Sequence, residues 1–141
     1  MSRYLEELEA RGLSLLIYRD GEIVFSSAGG GIKPLLDAID ALGRGGLRGA
    51  IVADKIVGRA AALLTVYIEA AEVHASLISA GAKEVLRGHG IGFYFAEETP
   101  VIRGRDGADI CPFERLVQGV TDPEEAHRLI RAKLAALRSA T

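Results

Sequence analysis

The stretch GAIVADKIVGRAAALL, residues 49–64, decides the fold of this chain. Its apolar run at 50–53 is typical of a buried strand, and the charged pair Asp54-Lys55 stands where that run stops. Gly58 follows, and an alanine-rich helix is predicted after it. A strand that enters a helix through a polar turn is a common ligand site in α/β proteins, because the helix N-terminus offers unpaired N–H groups. We therefore expect the functional site here.

Outward from this stretch, the chain alternates between strand and helix patterns. Strands are predicted at 13–18, 22–26, 72–78 and 91–96, and helices at 2–11, 34–42, 80–88, 112–118 and 123–137. The Asp20-Gly21 pair between the first two strands indicates a tight hairpin. The helix at 59–70 is apolar on nearly all sides, which predicts that it is largely buried. Alternating strands and helices predict an α/β fold in three layers (α/β/α) around a mixed sheet of about five strands.

Composition and charge exclude several classes of protein. The net charge of −2 gives no electrostatic footprint for nucleic acid. The single cysteine excludes an intramolecular disulfide and fits a reducing compartment. No apolar run approaches the roughly 20 residues of a membrane helix, and the acidic N-terminal segment is unlike a signal peptide. We therefore expect a cytoplasmic protein without membrane or nucleic-acid contacts.

Three short motifs occur in the order expected for one known family. They are Val-Ala-Asp-Lys-Ile-Val-Gly-Arg-Ala-Ala-Ala at 52–62, Ile-Cys-Pro-Phe-Glu at 110–114 and Asp-Pro-Glu-Glu-Ala at 122–126. Together with the early hairpin, they resemble the small prokaryotic family known as domain of unknown function 1893, within the cytidine-deaminase-like superfamily. The resemblance implies a deaminase-like fold in a single domain, 1–141, with its core at about 12–136. The family name assigns no function.

The zinc-binding pattern of the superfamily's enzymes is missing. Zinc deaminases place His or Cys two residues before a Glu at one helix start and Pro-Cys-x-x-Cys at the next. The corresponding segments here read Val-Gly-Arg at 57–59 and Ser-Ala-Gly-Ala at 79–82. Three zinc ligands cannot be assembled in the way these enzymes assemble them. We expect no zinc, no other cofactor and no zinc-dependent deamination, and whether the chain is an enzyme stays open.

Asp54, Lys55, Gly58 and Arg59 are the candidate ligand-binding residues. A carboxylate and an ammonium beside a helix N-terminus suit a ribose hydroxyl and a phosphate, and Gly58 would let a ligand approach the backbone closely. The alternative is a plain turn in which Asp54 caps the helix and Lys55 is solvated.

Cys111 is the candidate nucleophile, because it stands before Pro112 at a predicted helix start, where the helix dipole favours a thiolate. The alternative is a buried cysteine without a chemical role. His74 or His89 would have to supply the base from elsewhere in the fold. Arg103, Arg105 and Asp106 belong to a polar loop that could close over an anion or simply be solvated.

Three functions remain open. The first is binding of a nucleotide or a nucleotide-derived ligand, such as an ADP-ribose-like molecule, near Asp54. The second is a metal-independent enzyme with Cys111 as nucleophile. The third is a structural or interaction module that forms a homo-oligomer through strand edges or helix faces.

Overall fold

Strands and helices alternate along the chain, as the sequence pattern predicts. The computed structural model describes residues 2–104 and 107–139. Its elements are α1 Arg3–Ala10, β1 Leu15–Arg19, β2 Glu22–Ser27, α2 Lys33–Leu47, β3 Ile51–Val57, α3 Arg59–Tyr67, β4 Glu72–Ser79, α4 Ala80–Gly88, β5 Gly92–Thr99, α5 Pro112–Leu116 and α6 Pro123–Ser139. None of the helices described there has the length and apolar character needed to cross a membrane.

The strands form one mixed sheet in the order β2-β1-β3-β4-β5. β1 pairs antiparallel with β2 and β3, whereas β3, β4 and β5 run parallel to one another. The predicted hairpin is present, with positive φ at both Asp20 and Gly21, as a two-residue turn between twisted strands requires. The parallel strands end at one edge of the sheet, where β3 and β4 lead into α3 and α4. The α/β class and the five-stranded mixed sheet are thus confirmed.

The larger core lies between the sheet and α2, α3 and α4. α3 is the central helix of this layer, because α6 packs against it as well. Every side chain from Ala60 to Thr65 is buried, which confirms the prediction that an all-round apolar helix is enclosed. The sheet positions α3 so that its N-terminus opens at the carboxyl edge of β3.

The opposite face of the sheet carries α1, which completes the three layers. Leu5 and Leu8 of α1 pack against Leu16 and Ala53. His74 fastens this helix to β4, because its Nδ1 lies 2.9 Å from Oγ of Ser2, the N-cap of α1. Its Nε2 lies 3.0 Å from Oε1 of Glu72, and its ring stacks on Tyr94 at 4.8 Å between centroids. These contacts bury His74, which is 4% exposed, on the α1 face of the sheet.

Two element boundaries differ from the sequence pattern. The glycine-rich segment at 43–49 reads as a loop, yet α2 continues to Leu47 through a kink at Gly43, where φ is 67°. The strand predicted at 50–53 continues to Val57, because β1 and β4 flank it and Asp54 pairs with both. In the polar loop, Arg103 bridges to Ile110, whereas Arg105 and Asp106 lie outside the described residues.

Candidate functional site

Asp54 and Lys55 lie within β3 and not in a turn after it. Successive residues of a strand point to opposite faces, so the structure does not bring their side chains together. Asp54 stands directly opposite Leu15, a residue of the larger core, and therefore faces the helix layer. Lys55 is exposed on the other side. The predicted carboxylate–ammonium pair is thus two separate groups at one strand end.

The Asp54 carboxyl group is set in a poorly solvated position. Burial raises its pKa to about 7, and the nearby backbone N–H groups of Ile56 and Lys55 oppose the shift only in part. No cationic side chain in residues 2–104 and 107–139 forms an ion pair with it. Near pH 7 the group therefore exists in both protonation states, and it can accept or donate a hydrogen bond.

The N-terminus of α3 is occupied by a carboxylate from a distant part of the chain. Glu114 accepts hydrogen bonds from the backbone N–H groups of Arg59 (2.6 Å to Oε1) and Ala60 (2.8 Å to Oε2). Burial raises the pKa of Glu114, while these two N–H groups and the Arg59 guanidinium oppose that rise. The helix dipole and its unpaired amides favour an anion at this position, and the protein supplies its own.

Gly58 makes this contact possible. It is the N-cap of α3 and contributes no side-chain cap. A Cβ atom at Gly58 would lie only 2.4 Å from Oε1 of Glu114. The close approach predicted for Gly58 therefore exists, but its partner in the structure is the chain's own carboxylate.

The Arg59 side chain adds a second set of hydrogen bonds between α3 and the segment around α5. Its Nε donates to the carbonyl oxygen of Val117 at 3.0 Å, and its Nη2 donates to that of Val120. We call the three residues Gly58, Arg59 and Glu114 the α5 latch. Sequence reasoning missed Glu114 as a site residue, because Ala60 and Glu114 are 54 positions apart in the chain and no local pattern connects them. The sequence signal that could have revealed the contact is the start of α3 at Gly58, which has no side chain to cap the helix.

Cys111 is half-buried and stands at the N-cap of α5, a helix of only five residues. Its backbone N–H donates to the carbonyl oxygen of Ile102 at 3.0 Å. The two histidines considered as its base have other partners: His74 contacts Ser2 and Glu72, and Nε2 of His89 lies 3.3 Å from the carbonyl oxygen of Thr121. The nucleophile hypothesis stays a prediction without a base in place.

The N-termini of α3 and α4, which correspond to the zinc-binding segments of the zinc deaminases described above, lie side by side. A Cβ at Gly81 of α4 would lie 3.6 Å from Cβ of Arg59 in α3. Ser79 serves as a helix cap, accepting a hydrogen bond from the Ala82 N–H at 3.0 Å. Across 2–104 and 107–139, no three His, Cys, Asp or Glu side chains gather in a way that could hold a metal ion. The side chains at these two positions therefore do not fit a zinc site.

Two comparisons with known proteins match most of this chain to the same family. A family model described as Domain of unknown function (DUF1893) matches residues 3–134. The crystal structure of a DUF1893 family protein from Thermotoga maritima is 34% identical, with a TM-score of 0.84, and the match covers 94% of this chain and 92% of that one.

Of two further comparisons, one gives a weaker structural similarity and the other gives no match. A diaminohydroxyphosphoribosylaminopyrimidine deaminase/5-amino-6-(5-phosphoribosylamino)uracil reductase from the same organism is 18% identical with a TM-score of 0.47, over 74% of this chain and 34% of that one. No curated protein matches the sequence.

Proposed function

Since this chain belongs to the DUF1893 family, which is described only as a domain of unknown function, we propose from its geometry that it binds a nucleotide-derived small molecule beside Asp54. The ligand is ADP-ribose-like, with a ribose and at least one phosphate. The groups proposed to hold the ligand are the Asp54 carboxyl group and the backbone amides at the N-terminus of α3.

The observation that carries this proposal is that the Asp54 carboxyl group is poorly solvated and forms no ion pair within the described residues. A buried carboxyl without an ion-pair partner costs stability, and such groups cluster at functional sites. Asp54 lies near the carboxyl end of a parallel strand, which is the edge where α/β proteins place their ligands. With a pKa of about 7, it can accept a hydrogen bond from a ribose hydroxyl.

The phosphate part of the ligand is proposed to use the α5 latch. The amides of Arg59 and Ala60 are the natural anion donors, but Glu114 holds them. A phosphate therefore has to displace the Glu114 carboxylate, which leaves Gly58 open to close backbone approach. Lys55 stands at the same end of β3 but on the opposite face of the sheet, so we assign it no contact with the phosphate.

The test is a ligand panel on purified protein. Native mass spectrometry first asks whether a ligand is carried through purification. Melting temperatures are then measured with adenosine, AMP, ADP and ADP-ribose, since a ligand that binds only the folded state raises stability. For Asp54→Asn we expect binding weaker by about 5- to 10-fold, because the ribose hydroxyl exchanges a charged acceptor for the neutral amide oxygen of asparagine.

The matched control is Asp37→Asn, which changes an exposed carboxylate paired only with Lys33. It should bind like the parent protein. No shift with any member of the panel, or equal affinity in Asp54→Asn and the parent, would contradict the proposal.

A further inference from the structure

His74 connects a serine hydroxyl to a carboxylate on the α1 face of the sheet. Its Nδ1 lies 2.9 Å from Oγ of Ser2, and its Nε2 lies 3.0 Å from Oε1 of Glu72. A carboxylate oxygen only accepts hydrogen bonds, so the ring proton lies on Nε2 and is donated to Glu72. Nδ1 then carries the lone pair and accepts a hydrogen bond from the Ser2 hydroxyl. A hydroxyl, a neutral base and a carboxylate that orients the base are the groups that activate a serine as a nucleophile.

The imidazole ring of His74 is held between two tyrosine rings. Its centroid lies 4.8 Å from that of Tyr4 in α1 and 4.8 Å from that of Tyr94 in β5. His74 is buried, whereas Ser2 is half-buried and Tyr94 is exposed. The base is therefore fixed in one orientation by packing, while the residue that carries the hydroxyl reaches the protein surface.

Two backbone N–H groups stand beside Ser2 at the start of α1. Ser2 is the N-cap of this helix, and the N–H groups of Arg3 and Tyr4 are among the first ones, which have no carbonyl partner within a helix. The N–H group of Leu5 donates to Oγ of Ser2 at 3.2 Å. The N–H group of the residue after a nucleophilic serine is a common donor to the oxyanion that forms in acyl transfer. Arg3 and Tyr4 are in the position to provide such donors.

A surface cleft of about 510 Å³ begins at the same two residues. This volume lies within the range of small-molecule sites. The rings of Tyr4 and Tyr18, with centroids 4.9 Å apart, give the cleft an aromatic wall. The complete lining is Arg3, Tyr4, Glu7, Tyr18, Asp20, Gly21, Gly49 and Ile51. Such a wall suits a flat aromatic group, which can stack on it.

We propose that Ser2, His74 and Glu72 form a catalytic site that hydrolyses carboxylic esters of aromatic alcohols. Oγ of Ser2 attacks the ester carbonyl carbon, its proton passes to Nδ1 of His74, and the carbonyl oxygen becomes an oxyanion bound by the N–H groups of Arg3 and Tyr4. The bond to the alcohol oxygen then breaks, and His74 returns the proton to the leaving alcohol. Water attacks the acyl-serine by the same sequence, so that one ester and one water give one carboxylic acid and one alcohol. Glu72 stays ionised and stabilises the transient imidazolium.

This site is separate from the proposed ligand site. Asp54 faces the helix layer, whereas Ser2 and His74 lie on the α1 face. The failure of either proposal therefore leaves the other unaffected.

The first test is labelling with a fluorophosphonate, which forms an Oγ–P bond with an activated serine and expels fluoride. We expect one mass adduct, mapped to Ser2, that forms at least about 100-fold faster than on the urea-unfolded chain, since a positioned base contributes at least about this factor. His74→Gln should remove the acceleration. Glu72→Gln should slow labelling at least about tenfold, because a neutral amide stabilises the imidazolium less than a carboxylate does.

The second test separates catalysis from helix capping. Aspartate is as good an N-cap as serine, so Ser2→Asp keeps α1 capped and removes the nucleophile. This variant should hydrolyse p-nitrophenyl acetate only at the rate of the unfolded chain. Ser76→Ala, which removes a half-buried hydroxyl two residues after His74 on β4, is the matched control and should match the parent.

Three results would overturn the inference. They are the absence of an adduct at Ser2, an adduct that forms at the parent rate in His74→Gln, and ester hydrolysis at the parent rate in Ser2→Asp. Circular dichroism reports the folding of each variant. If His74→Gln does not fold, labelling of Glu72→Gln decides, because Glu72 is only half-buried, and the parent rate in that variant contradicts the inference equally.

Discussion

Gly58→Ala is expected to open the α5 latch. The backbone of Gly58 has φ −95° and ψ −174°, which alanine adopts without strain, so the effect comes from contact alone. The new Cβ would lie 2.4 Å from Oε1 and 2.5 Å from Cδ of Glu114, well inside van der Waals contact. The carboxylate cannot remain on the amides of Arg59 and Ala60. It has to swing away, and α3 loses the Glu114 side chain that caps its N-terminus.

The cost follows from the two hydrogen bonds that are lost. A hydrogen bond to a charged group contributes about 1.5–3 kcal/mol, and removal of a helix cap costs about 0.5–2 kcal/mol. The displaced carboxylate regains hydration, which offsets part of the loss, and its burial already disfavours the charged form. We expect the free energy of unfolding to fall by about 2–3 kcal/mol.

Urea unfolding of four proteins measures this effect: the parent, Gly58→Ala, Glu114→Ala and the double variant. If the contact with Glu114 is the cause, Gly58→Ala costs less than about 1 kcal/mol in the Glu114→Ala background, because nothing remains to be displaced. Gly45→Ala is the matched control, since a Cβ there meets no atom within 4 Å. An equal cost of Gly58→Ala in both backgrounds, or no cost in either, would refute the reasoning.

Three further predictions concern titration and chemistry. The pKa of Asp54 is about 7 in the folded protein and about 3.9 in the unfolded chain, so the folded protein loses stability as pH rises from 4 to 7 and this group ionises. Asp54→Asn should therefore be more stable than the parent by about 1–2 kcal/mol at pH 8 and nearly equal to it at pH 4, as measured by urea unfolding. Burial lowers the pKa of His127, and the charges of Arg131 and Arg44 lower it further, while Asp40 opposes them. The neutral ring also accepts a hydrogen bond at Nε2 from Nε of Arg131. The parent should therefore lose stability as pH falls from 7 to 5, and His127→Phe should lose less over the same range. Cys111→Ser should keep ligand binding; a covalent mass adduct that this variant abolishes would favour the nucleophile hypothesis instead.

Much of the fold could be predicted from local pattern. The alternation of apolar runs and amphipathic helices indicated the element order, and the Asp20-Gly21 pair indicated the hairpin, because turn geometry depends on neighbouring residues. The all-round apolar character of α3 predicted its burial, and the structure shows that α6 packs against it. The strand ends were harder to predict: β3 runs past its apolar residues through Asp54 and Lys55, because strands on both sides pair with its backbone.

The candidate site also contains residues that local pattern predicts and residues that it does not. Asp54, Gly58 and Arg59 were predicted as site residues because a strand that leads into a helix is a local feature, and their role in binding stays a prediction. Glu114 was missed, since no local pattern reveals a cap supplied from another segment. Lys55 was paired with Asp54 on the assumption of a turn, and the strand conformation separates them.

The sequence by itself determined the class of fold, the order of its elements and the place where strand β3 enters helix α3, because these depend on residues close together in the chain. Only the tertiary structure decided what occupies the end of that helix. Amides at a helix N-terminus attract whichever anion the fold brings near them, and here the fold brings Glu114 from 54 residues away.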